Sequence, residues 1–225
     1  MIYMLDTADL KSIRSGIDIF PISGVTTNPS ILAATGKLFY DVLLEIRNII
    51  GADKMLHCQV LGKTAEVIVE EARKIKELLG ENTYIKIPVF AEGIKAIKFL
   101  KTVNFNITAT AIFTPQQALI AAEAGAEYVA PYINRYEDIC GDSSLLIKEM
   151  RTVLDIGGHS TVKILGASFK NIEQVNKTIL AGAKSVTLNY EIMERLLYHP
   201  YTDFSIEKFN TDWEKAYGSK DMRNC

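Results

Sequence analysis

Eight short apolar runs recur along the chain, each followed by a longer stretch with helical spacing of its apolar residues, and this alternation constrains the fold more than any single motif. The runs are IYMLD (2–6), ISGVTTN (22–28), MLHCQVL (55–61), YIKIPV (84–89), NITATAIF (106–113), EYVAPYI (127–133), VKILGAS (162–168) and SVTLNY (185–190). Between them lie stretches such as TAEVIVEEARKIKELLG (64–80), where Ala65, Val69, Ala72 and Ile75 recur at helical spacing and Gly80 marks the end. TPQQALIAAEAGA (114–126) opens on Thr-Pro and stops at Gly125. No Pro- or Ser-rich linker interrupts the series. The pattern predicts an α/β chain forming a single-domain (β/α)8 TIM barrel over residues 1–218; an open doubly wound sheet is the alternative.

An extra C-terminal helix, DFSIEKFNTDWEKAYG, carries Ile206, Phe209, Trp213 and Tyr217 along one stripe, and the tail 219–225 is expected to fray. The stripe suits either packing within the chain or contact with another subunit.

Hydrophobic residues make up 48% of the 225, enough for a chain of this length to remove roughly 70–75% of its unfolded surface from water. Lys and Arg (25) nearly balance Asp and Glu (27), with no basic block, which argues against a nucleic-acid partner. The opening MIYMLDTADL lacks a basic segment followed by an apolar one, and no apolar run reaches membrane-spanning length; the expectation is a cytoplasmic protein with no membrane partner. Cys58, Cys140 and Cys225 are few and far apart, and His57, His159 and His199 have no metal-ligand spacing, so neither a disulfide nor a metal site is expected. Cys58, in an apolar run, reads as a small core residue. Lys95, Lys98 and Lys101 recur every three residues and read as a solvated helix face.

In a barrel, side chains alternate inward and outward along each strand, and functional groups gather at the carboxyl ends. The polar positions so placed are Asp6 on the first strand, Thr26 and Asn28 on the second, His57 and Gln59 on the third, and Lys86 on the fourth. Thr108 and Thr110 follow on the fifth, Tyr132 on the sixth and Ser168 on the seventh. Singly, most have ordinary explanations: Thr favours strands, and Asn28 before Pro29 is a helix cap. Lys86 is different. It stands between Ile85 and Ile87, in a run expected to be buried on both faces; the alternative is a surface lysine on an edge strand. Desolvation lowers an amine's pKa, and a neutral amine attacks carbonyl carbon, so Lys86 reads as a Schiff-base nucleophile. Such chemistry needs a carboxylate (Asp6), groups that hold a water (Gln59, Thr110, Tyr132) and an anchor for the substrate's far end. Arg135 in PYINR, with Ser168 and Lys170 in GASFK, suits a phosphate; alone, Arg135 reads equally well as a solvated loop cation.

These segments resemble those of the transaldolases and their small relatives, the fructose-6-phosphate aldolases. The resemblance rests on GVTTNPSIL (24–32), IKIPVFAEGIKAIK (85–98), AGAEYVAPYINR (124–135) and GASFK (166–170), and extends through HPYTDFSIEKFNTDW (199–213). It implies a (β/α)8 barrel with Lys86 forming the Schiff base, Asp6 near the substrate hydroxyls, Asn28 on the ketose, Thr110 and Gln59 holding the catalytic water, and Arg135 with Ser168 on phosphate. Transaldolases place a glutamate at the position of Gln59 and a phenylalanine at that of Tyr132, so both residues resemble the aldolase branch. Two positions depart from the pattern: Phe90 replaces a small hydroxyl residue, and Thr108 stands where asparagine or leucine is usual.

The implied activity is a cofactor-free class I aldolase that reversibly cleaves fructose 6-phosphate into dihydroxyacetone and glyceraldehyde 3-phosphate. A transaldolase passing the dihydroxyacetone unit between sugar phosphates is the alternative, and a non-catalytic sugar-phosphate-binding barrel the second. The resemblance also implies a homo-oligomer, a pentamer or decamer, with the C-terminal helix reaching a neighbour.

Overall fold

The computed structural model describes residues 1–219 and 221–224. In chain order its elements are β1 (Ile2–Asp6), α1 (Leu10–Ile19), β2 (Ile22–Thr26), α2 (Pro29–Ala33), α3 (Phe39–Ile50), β3 (Met55–Gln59), α4 (Ala65–Leu79), β4 (Thr83–Pro88), α5 (Ala91–Thr102) and β5 (Asn106–Ile112). They continue with α6 (Pro115–Glu123), β6 (Tyr128–Pro131), α7 (Ile133–Glu137), α8 (Ser143–Ile156), β7 (Lys163–Gly166), α9 (Ile172–Leu180), β8 (Ser185–Leu188), α10 (Tyr190–Arg195) and α11 (Pro200–Tyr217). The eight strands run parallel in sequence order, and β8 pairs with β1 to close the sheet. The fold is therefore the (β/α)8 barrel the alternation predicts, not an open sheet.

Strand parity divides the core into two shells. Inside the barrel, Met4, Tyr128, Ala130 and Leu165 form a plug against Ile2, Met55 and Tyr84. Outward residues such as Leu5, Val25, Ile85, Ile87, Ile107 and Val129 are fully buried beneath the helices. On α4 the buried stripe is Ile68, Ala72, Ile75 and Leu79; of the four residues expected there, Ala72 and Ile75 face inward, whereas Ala65 and Val69 are only half-buried. Each large aliphatic side chain so buried contributes about 1.5–3 kcal/mol.

Helix starts follow the side-chain chemistry. Asp9, Asn28, Thr64, Thr114, Asp142 and Asn171 each accept a backbone N–H at the start of their helix, a contact worth about 1 kcal/mol apiece. Thr114 and Gln117 complete a reciprocal capping box. Phe90 opens α5 without a side-chain cap, as its chemistry requires. Gly93, one turn in, is required for closeness: a Cβ there would lie 2.1 Å from the Pro88 carbonyl oxygen, so α5 can press against the end of β4 only if this residue is bare.

The chain divides into two compact units, Met1–Ile192 and Met193–Cys225. In the second, α11 begins at Pro200, three residues before the expected start, capped by His199, and none of its residues is buried. The Trp213 and Tyr217 rings meet at 4.5 Å, tilted by 42°. Of the tail expected to fray, Met222–Asn224 forms a 3-10 turn, while positions 220 and 225, including Cys225, lie outside the described residues. Among the described residues no helix is long and apolar enough to cross a membrane.

Candidate active site

At the carboxyl end of the strands a cavity of about 270 Å³ is lined by Asp6, Asn28, Gln59, Lys86, Tyr132, Arg135 and Ser168, together with Pro29, Ser30 and Ala167. Seven residues named from strand parity or loop position thus converge, although they come from six strands and the segments after them.

Lys86 is only 4% exposed, and its Nζ donates to the Thr27 carbonyl at 2.9 Å. In register, Gln59 lies opposite Lys86 on one side and Thr108 on the other, so all three belong to one inward layer. Ile85 and Ile87 are fully buried on the outward face, which leaves the lysine stem facing the barrel interior. A surface edge-strand lysine is excluded, because the closed barrel has no edge.

Around the amine the polar groups are held by specific partners. Thr26 Oγ1 donates to Asp6 Oδ1 at 2.6 Å and lies 2.7 Å from Thr187 Oγ1. Thr26 is itself fully buried and does not line the cavity; it fixes the carboxylate from below. Asn28 spends Oδ1 on the backbone of Ile31 as the cap of α2, which leaves its amide N–H groups for other partners. Gln59 Oε1 is buried and accepts no hydrogen bond from a described residue.

On the far side, a left-handed residue, Ala111 (φ 57°), makes a bulge in β5 that shifts its register to β6 between Thr110 and Ile112. Just before it the Thr110 hydroxyl reaches the Tyr132 phenol at 3.2 Å. Thr110 is buried behind Tyr132 and is not part of the cavity wall. The Arg135 guanidinium lies 4.9 Å from the centre of the Tyr132 ring and, among the described residues, forms no ion pair. Ser168 reaches the cavity by a left-handed turn (φ 63°) after β7. Lys170, two residues on, is exposed and outside the lining.

Beneath Lys86, His57 is fully buried, stacked on Tyr84 at 4.5 Å, with Nδ1 2.9 Å from Thr108 Oγ1. Burial, reinforced by the nearby Lys86 charge, holds the imidazole well below its ordinary 6.5, so the ring is neutral. The two departures from the family pattern therefore have structural places: Thr108 pairs with His57 in the layer under the amine, and Phe90 stands at the uncapped start of α5, outside the cavity. Cys58 faces outward and is fully buried, and burial pushes its thiol up to about 12.

Sequence reasoning missed Ser30, Ala167 and Thr187. Thr187 and Ala167 were within reach, because both have inward parity in their runs, SVTLNY and VKILGAS; Ser30 lies in the segment after β2, whose course parity does not dictate.

Comparison with known proteins agrees with this geometry. Residues 3–221 match the family described as Transaldolase/Fructose-6-phosphate aldolase. A relative from Streptococcus pneumoniae (strain ATCC 700669 / Spain 23F-1), named "Probable fructose-6-phosphate aldolase", is 40% identical over 223 residues, covering 99% of this chain and 100% of its own. Among solved structures, one described as "Native KDPGal structure" has a TM-score of 0.60 at 17% identity, covering 88% of this chain and 84% of that one. A second, a "cube-shaped, highly porous protein cage designed by fusing symmetric oligomeric domains", has a TM-score of 0.60 at 14% identity, covering 96% and 77%. At these identities the structural likenesses speak to the barrel alone. With the match running nearly end to end, the chain belongs to the transaldolase/fructose-6-phosphate aldolase family.

Proposed function

We propose that the chain is a class I aldolase of the cytoplasm that reversibly cleaves fructose 6-phosphate into dihydroxyacetone and glyceraldehyde 3-phosphate. The observation that carries this reading is the buried amine of Lys86 at a polar cavity that also presents Asp6, Gln59, Tyr132 and Arg135. The relative's name and the aldolase-branch residues Gln59 and Tyr132 support it.

In this mechanism neutral Lys86 Nζ adds to the C2 carbonyl carbon, and the C2 oxygen takes up protons and leaves as water, giving an iminium. Asp6 accepts the proton of the C4 hydroxyl as the C3–C4 bond breaks. The bonding pair moves into the iminium to form an enamine, and glyceraldehyde 3-phosphate departs. Tyr132, oriented by Thr110, protonates the enamine carbon; a water held by Gln59 and Tyr132 then hydrolyses the iminium and releases dihydroxyacetone, Thr110 acting only through Tyr132 because it lies off the cavity wall. Asn28 and Thr26 serve the ketose hydroxyls, the first by contact and the second through Asp6. Arg135 and Ser168 bind the phosphate, with Lys170 adding positive charge outside the lining. We also infer assembly as a ring of five or ten subunits, supported by exposed Phe204, Ile206 and Phe209 on α11; light scattering measures the subunit number.

The test supplies fructose 6-phosphate with no aldehyde acceptor and follows glyceraldehyde 3-phosphate. Release supports the aldolase; no release until erythrose 4-phosphate is added would make the enzyme a transaldolase. Borohydride reduction with dihydroxyacetone places the adduct. Phosphate-ester binding without any adduct would leave only a sugar-phosphate-binding barrel.

A further inference from the structure

The Lys86 amine is buried and, among the described residues, donates to one acceptor, the Thr27 carbonyl, at 2.9 Å. That carbonyl belongs to a residue anchored twice to one acceptor. The Thr27 N–H donates to the His57 carbonyl at 2.9 Å, and the Thr27 hydroxyl donates to the same oxygen at 3.1 Å. His57 is pinned in turn by its ring, between Tyr84 and Thr108. Thr27 is fully buried, has the opposite parity to Thr26 and Asn28, and does not line the cavity. Its hydroxyl therefore does not face the substrate; it holds in place the oxygen to which the amine is tethered.

The successive states of the nitrogen differ in what they can give that oxygen. An amine has hydrogens to donate. A neutral imine has none, and would turn a lone pair toward the carbonyl. An iminium has one N–H and can keep the bond, strengthened by its charge. A fixed carbonyl at this distance therefore favours the protonated Schiff base, the form that withdraws electrons when carbon–carbon bonds break.

We propose that Thr27 is a positioning residue for the Schiff base: its carbonyl holds the Lys86 nitrogen in the iminium form, and its hydroxyl locks that carbonyl in place. The inference rests on the Schiff-base reading above. The other ionisable groups at the cavity with this nitrogen are Asp6 from β1, Tyr132 after β6 and Arg135 on α7, while neutral His57 and the outward, un-ionised Cys58 thiol from β3 lie close enough to feel its charge. Thr27→Val keeps all of these residues and removes the hydroxyl, with its bonds to the His57 carbonyl and the Cys58 thiol.

The experiment compares wild type, Thr27→Val and Thr27→Ser across pH. It measures kcat and KM for fructose 6-phosphate cleavage and the rate at which cyanoborohydride, which reduces iminium far faster than neutral imine, traps the dihydroxyacetone adduct. We expect Thr27→Val to lower kcat about tenfold with KM changed less than about threefold, and to move the alkaline side of both profiles about one pH unit lower. Thr27→Ser, which restores the donor, returns both. Unmoved profiles in Thr27→Val, or a lower kcat with unmoved profiles and a lower melting temperature, overturn the proposal, because the hydroxyl then serves only the fold. Should Thr27→Val fail to fold, Thr27→Ala gives the same comparison without a branched methyl group. Absence of any adduct in wild type would overturn the aldolase reading itself; an adduct in wild type with unmoved profiles in the variants overturns this inference alone.

Discussion

The Thr110 hydroxyl donates to the Tyr132 phenolic oxygen across 3.2 Å, from the last residue before the bulge at Ala111 that shifts the register of β5 on β6. The phenol is thereby oriented with its own proton free for another acceptor. Tyr132→Phe should cut release of free dihydroxyacetone by about tenfold or more, the usual contribution of a positioned acid being 10²–10⁴. Adduct formation at Lys86 should persist, since the phenol does not supply the nucleophile. Borohydride trapping beside an acceptor-free cleavage assay checks both halves; loss of the adduct as well would remove the proton-donor role.

Lys86→Arg should abolish turnover. The guanidinium stays protonated and cannot add to a carbonyl. Because the site is nearly closed to solvent, the bulkier head should also cost about 1–3 kcal/mol of stability, leaving a folded protein. Mass spectrometry after borohydride treatment should find no adduct; residual turnover would move the nucleophile elsewhere.

His57 should make stability depend on pH. Its folded-state pKa is depressed by burial and by Lys86, whereas in the unfolded chain it titrates near 6.5. Above that value neither state carries the proton. Below it the unfolded chain takes up a proton the folded ring refuses, so stability falls with falling pH, by at most about 1.4 kcal/mol per unit. Denaturant midpoints read from pH 6.5 down to about 5, before the carboxylates titrate, measure the slope. His57→Phe keeps a ring against Tyr84 and should flatten it; an unchanged slope would mean that another group carries the proton.

Phe90→Thr should stabilise the protein by about 1 kcal/mol by giving α5 the cap it lacks. Gly93→Ala should do the opposite, because its methyl would lie 2.1 Å from the Pro88 oxygen and push α5 off the end of the lysine-bearing strand. A loss of about 1–3 kcal/mol is expected, with reduced activity, since the displaced strand end lies two residues from Lys86. Thermal melts and initial rates of both variants test the pair; a neutral Gly93→Ala would show that this helix yields freely.

The barrel was legible in the sequence because period-two strands and period-3.6 helices leave different marks, and eight repeats without a linker have few ways to close. Asp6, Asn28, Gln59 and Lys86 were legible for the same reason: each stands at the end of a strand on the inward parity. Tyr132 and Arg135 followed from their place after β6. Ser168 enters through a left-handed backbone that no residue preference announces, and the bulge that follows Thr110 falls at an alanine, which announces none either. Lys170 was grouped with Ser168 by nearness in sequence, yet the turn that brings the serine in leaves the lysine exposed. The Thr27 tether was unreadable, because the atom that matters is a main-chain oxygen and every residue has one.

The burial of Lys86 also sorts reagents by size. Lys95, with a side chain 67% exposed, meets any amine-reactive compound in solution, whereas Lys86 is 4% exposed and lies at the wall of the polar cavity. Bulky acylating esters should decorate the outer lysines and spare this one, while small carbonyl compounds held in the cavity select it. The walls of the barrel thus act as a protecting group, giving one amine among many a chemistry of its own.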